Sequence, residues 1–124
     1  MIKPKRLKVK NTNNTAIRII KNLNCKYGMV VSDVQSMGRG QFGKKWISYQ
    51  GNLFVSFFYE LENINLSISK LTKINCLLVK KLLTNYYKKN ITIKKPNDLL
   101  INKKKISGIL QEIVSISNKK FIII

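Results

Sequence analysis

Histidine is absent from this chain. That removes imidazole acid–base chemistry near neutral pH and the commonest zinc ligand sets. Cysteine is scarce. Cys25 and Cys76 stand far apart in no metal-like spacing, which reads as two free thiols of a reducing, cytoplasmic compartment. Acidic residues are few, 5 Asp and Glu against 24 Lys and Arg, for a net charge of +19. No apolar run approaches the length of a membrane span. The basic residues 1–10 are followed by no apolar core, so neither export nor membrane association is expected.

A charge of +19 first suggests a polyanion partner. Arginine, however, occurs only as Arg6, Arg18 and Arg39, and the other basic residues are lysines. Proteins that read nucleic acid favour arginine, whose planar fork matches phosphate and guanine. Abundant Ile and Asn accompany the lysines, as AT-rich coding would produce, so the charge reads as compositional drift and no specific DNA binding is expected. What remains is ordinary: 124 residues, 44% hydrophobic, enough for one domain around one core.

Residues 1–10 alternate Lys with Ile, Leu and Val and read as a short strand or an arm. Thr12 and Asn13 are suited to cap a helix over residues 13–22, with Ala16, Ile20 and Leu23 at helical spacing. Residues 29–34 and 53–59 read as strands. Ser67 is placed to cap the longest helix, running to about Tyr87, and its stripe Ile68, Leu71, Ile74, Leu78 and Leu82 is expected to cover a sheet. A short strand at 91–94 stops at Pro96. Residues 99–101 and 105–106 form a hairpin around Asn102-Lys103, 108–116 one longer strand, 117–119 a turn, and 121–124 a strand that ends abruptly as if cut. Adjacent strands mixed with helices favour an α+β, mixed-sheet α/β fold over a doubly wound one.

Two segments concentrate chemistry. Gly38-Arg39-Gly40-Gln41-Phe42-Gly43-Lys44-Lys45-Trp46 lies between two strand-like runs and leads into Gly51-Asn52-Leu53-Phe54-Val55-Ser56. Its glycines permit close backbone approach and N–H groups turned toward an anion, and Arg39 adds a bidentate fork. A solvated turn explains the same residues. The second segment is Lys94-Lys95-Pro96-Asn97-Asp98-Leu99-Leu100, followed by Lys103-Lys104-Lys105-Ile106-Ser107-Gly108-Ile109-Leu110-Gln111-Glu112. Here Asn97 and Asp98 either make a turn or face a ligand from a strand edge. Period two would place Lys103 and Lys105 on one face and Lys104 on the other.

Taken in order, Gly-Arg-Gly-x-x-Gly-x-x-Trp, Gly-Asn-Leu-Phe-x-Ser, Lys-x-Pro-Asn-Asp-Leu and Lys-x-x-Gly-Ile-Leu-x-Glu resemble the catalytic domain of the biotin protein ligases. The resemblance runs from about Thr12 to Ile124 and treats residues 1–124 as the N-terminal part of that domain. It leaves out the family's further C-terminal segment, its C-terminal β-barrel and its N-terminal helix-turn-helix. It implies an ATP- and Mg²⁺-dependent enzyme that activates biotin as biotinyl-AMP and transfers it to a lysine of the biotin carboxyl carrier protein of acetyl-CoA carboxylase. A homodimer is left open. The loop and the Gly-Ile-Leu-x-Glu strand speak for biotin over lipoate. The alternatives are a truncated or inactive remnant, or a basic nucleic-acid-binding protein on the same scaffold.

By the resemblance, Asn11, Thr12 and Asn13 match a Ser-Thr-Asn block that touches the biotin ring, and Gln35 a biotin-contacting Gln. Arg39, Gly40 and Gln41 belong to the loop that closes over biotin and the adenylate. Gln41 stands where many members carry a second Arg. Trp46 matches a Trp on the adenine side. Lys105 is the expected catalytic cation and also touches biotin, with Arg39 and Asp98 as its catalytic partners, Asp98 accepting or orienting the proton of the carrier lysine. Lys94 and Asn97 join Arg39 and Trp46 at ATP, and Lys95 replaces the block's Trp. No protein metal site is expected.

Overall fold

The computed structural model describes residues 7–62 and 65–124. They fall into two compact units, one within residues 7–62 and 112–124 and the other within 65–111. The expected part of the arm at residues 1–6 lies outside the described residues.

The first unit is a mixed sheet carrying one helix. Its strands are β1 (Leu7–Val9), β2 (Tyr27–Gln35), β5 (Phe54–Glu60), β9 (Glu112–Ile116) and β10 (Lys119–Ile123), in the order β1-β2-β5-β10-β9. The β1–β2 pair is parallel and the others are antiparallel. Ser117 and Asn118 both have positive φ, which gives the β9–β10 hairpin a tight turn suited to strand twist. Helix α1 (Thr12–Leu23) is capped by Asn11, one residue before the expected cap, because Asn11 Oδ1 accepts the Asn14 N–H at 2.7 Å.

Period two decides which side chains meet α1. In β5, Phe54, Ser56 and Phe58 share the buried face, and in β9 Glu112 shares a face with Val114 and Ile116. Ala16 and Ile20 of α1 pack with Val30, Phe58, Ile116, Phe121 and Ile123 as the core. Gly28 lies beside Phe58, and a Cβ there would come within 2.5 Å of the ring, so glycine makes room for the aromatic. The same sheet face turns polar at Ser56 and Glu112, and the N-terminal turn of α1 meets it there.

Between β2 and β5 the glycine-rich segment forms a small hairpin: β3 (Gly38–Arg39), a 3-10 turn (Gln41–Gly43) and β4 (Lys45–Trp46). Gly38 pairs with Trp46, and a Cβ on Gly38 would lie 2.6 Å from the Trp46 carbonyl oxygen.

The second unit holds α2 (Ile68–Thr84) and a three-stranded sheet, β6 (Thr92–Lys94), β7 (Asp98–Ile101) and β8 (Lys104–Gly108), in that order. Ser67 caps α2 as expected. The expected sheet-covering stripe is corrected. Leu71 is buried, but Ile68, Ile74, Leu78 and Leu82 are exposed, and the buried face is Leu71, Thr72 and Cys76. Asn102 and Lys103 have positive φ and turn the β7–β8 hairpin. The expected single strand over 108–116 is two strands in different sheets, β8 ending at Gly108 and β9 starting at Glu112. Ile109 N–H bonds to Asn97 O at 3.0 Å, and this contact follows directly on the end of β8.

Candidate functional site

In the first unit a hydrogen-bonded chain joins five of the expected site residues. Gln35 Oε1 accepts the Thr12 N–H at 2.8 Å and the Thr12 hydroxyl at 3.2 Å. The Ser56 hydroxyl lies 2.7 Å from Thr12 Oγ1 and also bonds Asn13 Oδ1. Asn13 Nδ2 donates to Glu112 Oε2 at 2.7 Å. Arg39 completes the chain, its Nη1 and Nη2 donating to Glu112 Oε1 and Oε2 at 3.0 Å each, with a further bond from Nη2 to Asn14 Oδ1 at 2.9 Å. Asn11 stands at the base, its Nδ2 donating to Met37 O at 3.3 Å.

Asn11, Thr12, Asn13 and Ser56 are all buried. Buried polar atoms are stable only when partnered, so these bonds fix the side chains in single positions. Two hydroxyl hydrogens, from Thr12 and Ser56, face three oxygen–oxygen contacts. One contact therefore always lacks a hydrogen, and the cluster is rich in acceptors. Such a cluster suits a ligand that brings N–H donors.

The glycine-rich loop differs from the expected anion cradle. Gly40 N–H already donates to Lys44 O at 2.7 Å, and Gly40 is in ordinary extended conformation. Positive φ occurs at Phe42 and Gly43 instead. Arg39, Lys44 and Lys45 are the cationic side chains of this loop, and both lysines are exposed. Trp46 is half-buried on β4, and Gln41 sits in the turn.

The remaining expected residues lie in the second unit. Lys105 Nζ is 2.8 Å from Asp98 Oδ1, so the expected cation and the expected carboxylate are ion-paired with each other. Asn97 Nδ2 donates to Ile109 O at 2.8 Å, which ties its amide to the backbone. Lys94 is exposed at the end of β6, opposite Asp98. Lys103 lies in the turn and not in β8, so it does not share a strand face with Lys105 as period two suggested. Below the sheet, burial raises the pKa of the Cys76 thiol and the Asp98 carboxylate adds to the rise.

Ser56, Asn14 and Glu112 received no role from the sequence. Ser56 and Glu112 close two of the motif blocks, and that placement was the available signal. No group of three or more His, Cys, Asp and Glu among the described residues could hold a metal ion. A cavity of about 390 Å³ lined by Ile20, Asn24, Ile116 and Phe121 lies at the far end of α1 from the polar cluster. No helix among the described residues is long and apolar enough to cross a membrane.

The first unit is thus a mixed sheet with buried amide and hydroxyl groups at a helix start and an arginine–glutamate pair beside them. The biotin/lipoate A/B protein ligase family matches residues 4–124, and the chain belongs to that family. It is 31% identical over 84 residues to the bifunctional ligase/repressor BirA of Escherichia coli, covering 67% of this chain and 26% of BirA. The Bacillus subtilis BirA is 32% identical over 103 residues, covering 82% of this chain and 32% of that protein. Among solved structures, the biotin protein ligase from Aquifex aeolicus in complex with biotin and ATP superposes with a TM-score of 0.75 at 29% identity, over 99% of this chain and 51% of that one. The chain thus spans about half the length of this solved relative, and less of the curated ones.

Proposed function

We propose that this chain works as a biotin protein ligase: it activates biotin with ATP as biotinyl-AMP and passes the biotinyl group to a lysine of a biotin carboxyl carrier protein. The observation that carries this reading is the buried Thr12–Ser56–Asn13 cluster ending in the Glu112–Arg39 pair. Its surplus of acceptors suits the two N–H groups of a ureido ring, and the guanidinium suits a carboxylate or phosphate. The Aquifex relative, solved with biotin and ATP, supports the same ligands here.

In the first step a biotin carboxylate oxygen attacks the α-phosphorus, and pyrophosphate leaves with the electrons of the broken P–O bond. In the second, the carrier amine attacks the acyl carbon, AMP leaves and the amine proton is lost. Both steps concentrate negative charge on phosphate and carboxylate oxygens, so fixed cations lower their barriers. Arg39 and Lys105 take that role, Asn97 and Lys94 bind nucleotide, Trp46 covers the adenine, and Gly40 and Gln41 shape the loop over the adenylate. Asp98, 2.8 Å from the Lys105 ammonium, holds that side chain in place. Mg²⁺, held chiefly by the ATP phosphates, would supply charge neutralisation there. Neither step needs a histidine or a covalent enzyme intermediate.

The test is to incubate the purified chain with biotin, ATP and Mg²⁺ and look for biotinyl-AMP by mass spectrometry. Product that disappears in Lys105→Ala supports the reading. A folded sample that yields no product rejects adenylation by this chain.

A further inference from the structure

Glu112 is one of 5 acidic residues in a chain with 24 basic ones, yet its carboxylate accepts three N–H donors: Arg39 Nη1, Arg39 Nη2 and Asn13 Nδ2. Arg39 lies 73 positions away in sequence and Asn13 lies 99 positions away, so these bonds come from the sheet and not from local chain geometry. Glu112 reaches them because it is the first residue of β9 and shares the α1-facing side with Val114 and Ile116. The first turn of α1 has no acidic residue of its own, and Glu112 supplies the negative charge that a helix N-terminus favours.

We propose that Glu112 is the positioning residue of the anion-binding arginine: it holds the Arg39 guanidinium in the one orientation that receives the adenylate. This rests on the ligase reading above. A guanidinium has five N–H donors in a rigid plane. Glu112 and Asn14 take three of Arg39's, the full Nη2 pair and one on Nη1. Nε–H and the second Nη1–H are left, among the described residues, to an incoming oxygen. A bidentate carboxylate fixes the plane, and a single acceptor does not. The Arg39 side chain is 40% exposed, so without that clasp a long, mobile side chain would have to be ordered by the ligand itself. The Asn13 bond ties the same carboxylate to the cluster assigned to the ring, so one residue sets the spacing between the two ends of the ligand.

A purely structural ion pair predicts a different outcome, which a double-mutant cycle separates. The full chain is titrated by calorimetry with biotin and with a non-hydrolysable biotinyl-adenylate analogue, for wild type, Glu112→Gln, Arg39→Ala and the double variant. Gln keeps an oxygen for Asn13 Nδ2 but loses the charge and the bidentate clasp. Glu112→Gln should weaken the analogue about tenfold, the size of a lost charge-assisted bond, and biotin alone by less. Once Arg39 is Ala, Glu112→Gln should cost nothing further. Additive losses, equal losses for both ligands, or no loss would overturn the proposal.

If Glu112→Gln does not fold, the exchanged pair Arg39→Glu with Glu112→Arg restores the ion pair. It should recover thermal stability and not analogue binding, and recovery of both would overturn the positioning role. A wild-type chain that binds neither ligand refutes the ligase reading and the inference with it. Binding by wild type without coupling between positions 39 and 112 refutes the inference alone.

Discussion

Lys105 reaches Asp98 because β8 carries a bulge. Asp98 pairs with Gly108 and Leu99 with Ser107, but Leu100 then pairs with Lys105, so Ile106 is the extra residue. In an unbroken ladder Lys105 would oppose Ile101 and point to the other face. The bulge turns it to the face of Leu100 and Asp98, where Nζ lies 2.8 Å from Oδ1. Bulges commonly re-aim a side chain next to a site. Without it, the proposed cation and its carboxylate would stand on opposite sides of the hairpin.

Replacing Lys105 should separate chemistry from stability. Lys105→Ala should lower the rate of pyrophosphate release about 100-fold or more, the scale of losing one preorganised stabilising group. Unfolding free energy should change by less than about 1 kcal/mol, because the pair is partly exposed and screened. Coupled pyrophosphate assay and urea denaturation on the same sample measure both.

Ser56→Ala should do the reverse. It removes a buried hydroxyl from between Thr12 and Asn13 and leaves their oxygens short of a partner. The expected loss is about 1–3 kcal/mol in urea denaturation. Biotin affinity, read by calorimetry, should fall with it, since the Asn13 and Thr12 side chains lose their common anchor.

The glycines of the loop should rank by geometry and not by motif position. Gly38→Ala should be the worst, because its Cβ would meet the Trp46 carbonyl oxygen at 2.6 Å. Gly43→Ala meets no neighbour but must adopt φ near +71°, at a cost of about 1 kcal/mol. Gly40→Ala, extended and with its nearest contact at 3.5 Å, should leave the melting temperature close to wild type. Thermal melts of the three variants give the order.

Cys76 sets an alkaline limit. Its folded pKa is raised above the ordinary 9.0 by burial first and by Asp98 second. Above about pH 9 the unfolded chain therefore loses the thiol proton before the folded chain does. The folded state then binds more protons than the unfolded state, and stability falls as pH rises. The contribution is complete below the unfolded pKa and is lost as pH climbs toward the folded one. The stability advantage of wild type over Cys76→Ala, measured by denaturant titration, should be larger at pH 7 than at pH 10.

Local features were legible from the sequence and long-range ones were not. The Ser67 cap, the turns at Asn102-Lys103 and Ser117-Asn118, and the strand character of β2 and β5 follow from residue chemistry within a few positions. The α2 stripe was misjudged because helical spacing marks an apolar face without saying what covers it. The residues 108–116 were read as one strand because a run of branched residues hides a change of sheet. Asn11, Thr12, Asn13, Gln35 and Arg39 were placed as site residues by motif order. Their actual linkers, Ser56 and Glu112, act across 43 to 99 positions, a distance that no periodicity encodes.

The register of β9 fixes the face on which its first residue, Glu112, stands. Glu112 points to α1 only while it stays opposite Ile123 in the β9–β10 ladder. A slip of β9 by one residue in that ladder would send every side chain of the strand to its other face. Insertional engineering, tags and loop grafts therefore belong elsewhere, such as the exposed turn at Asn102-Lys103, where added length shifts no strand that carries Arg39 or its clasp.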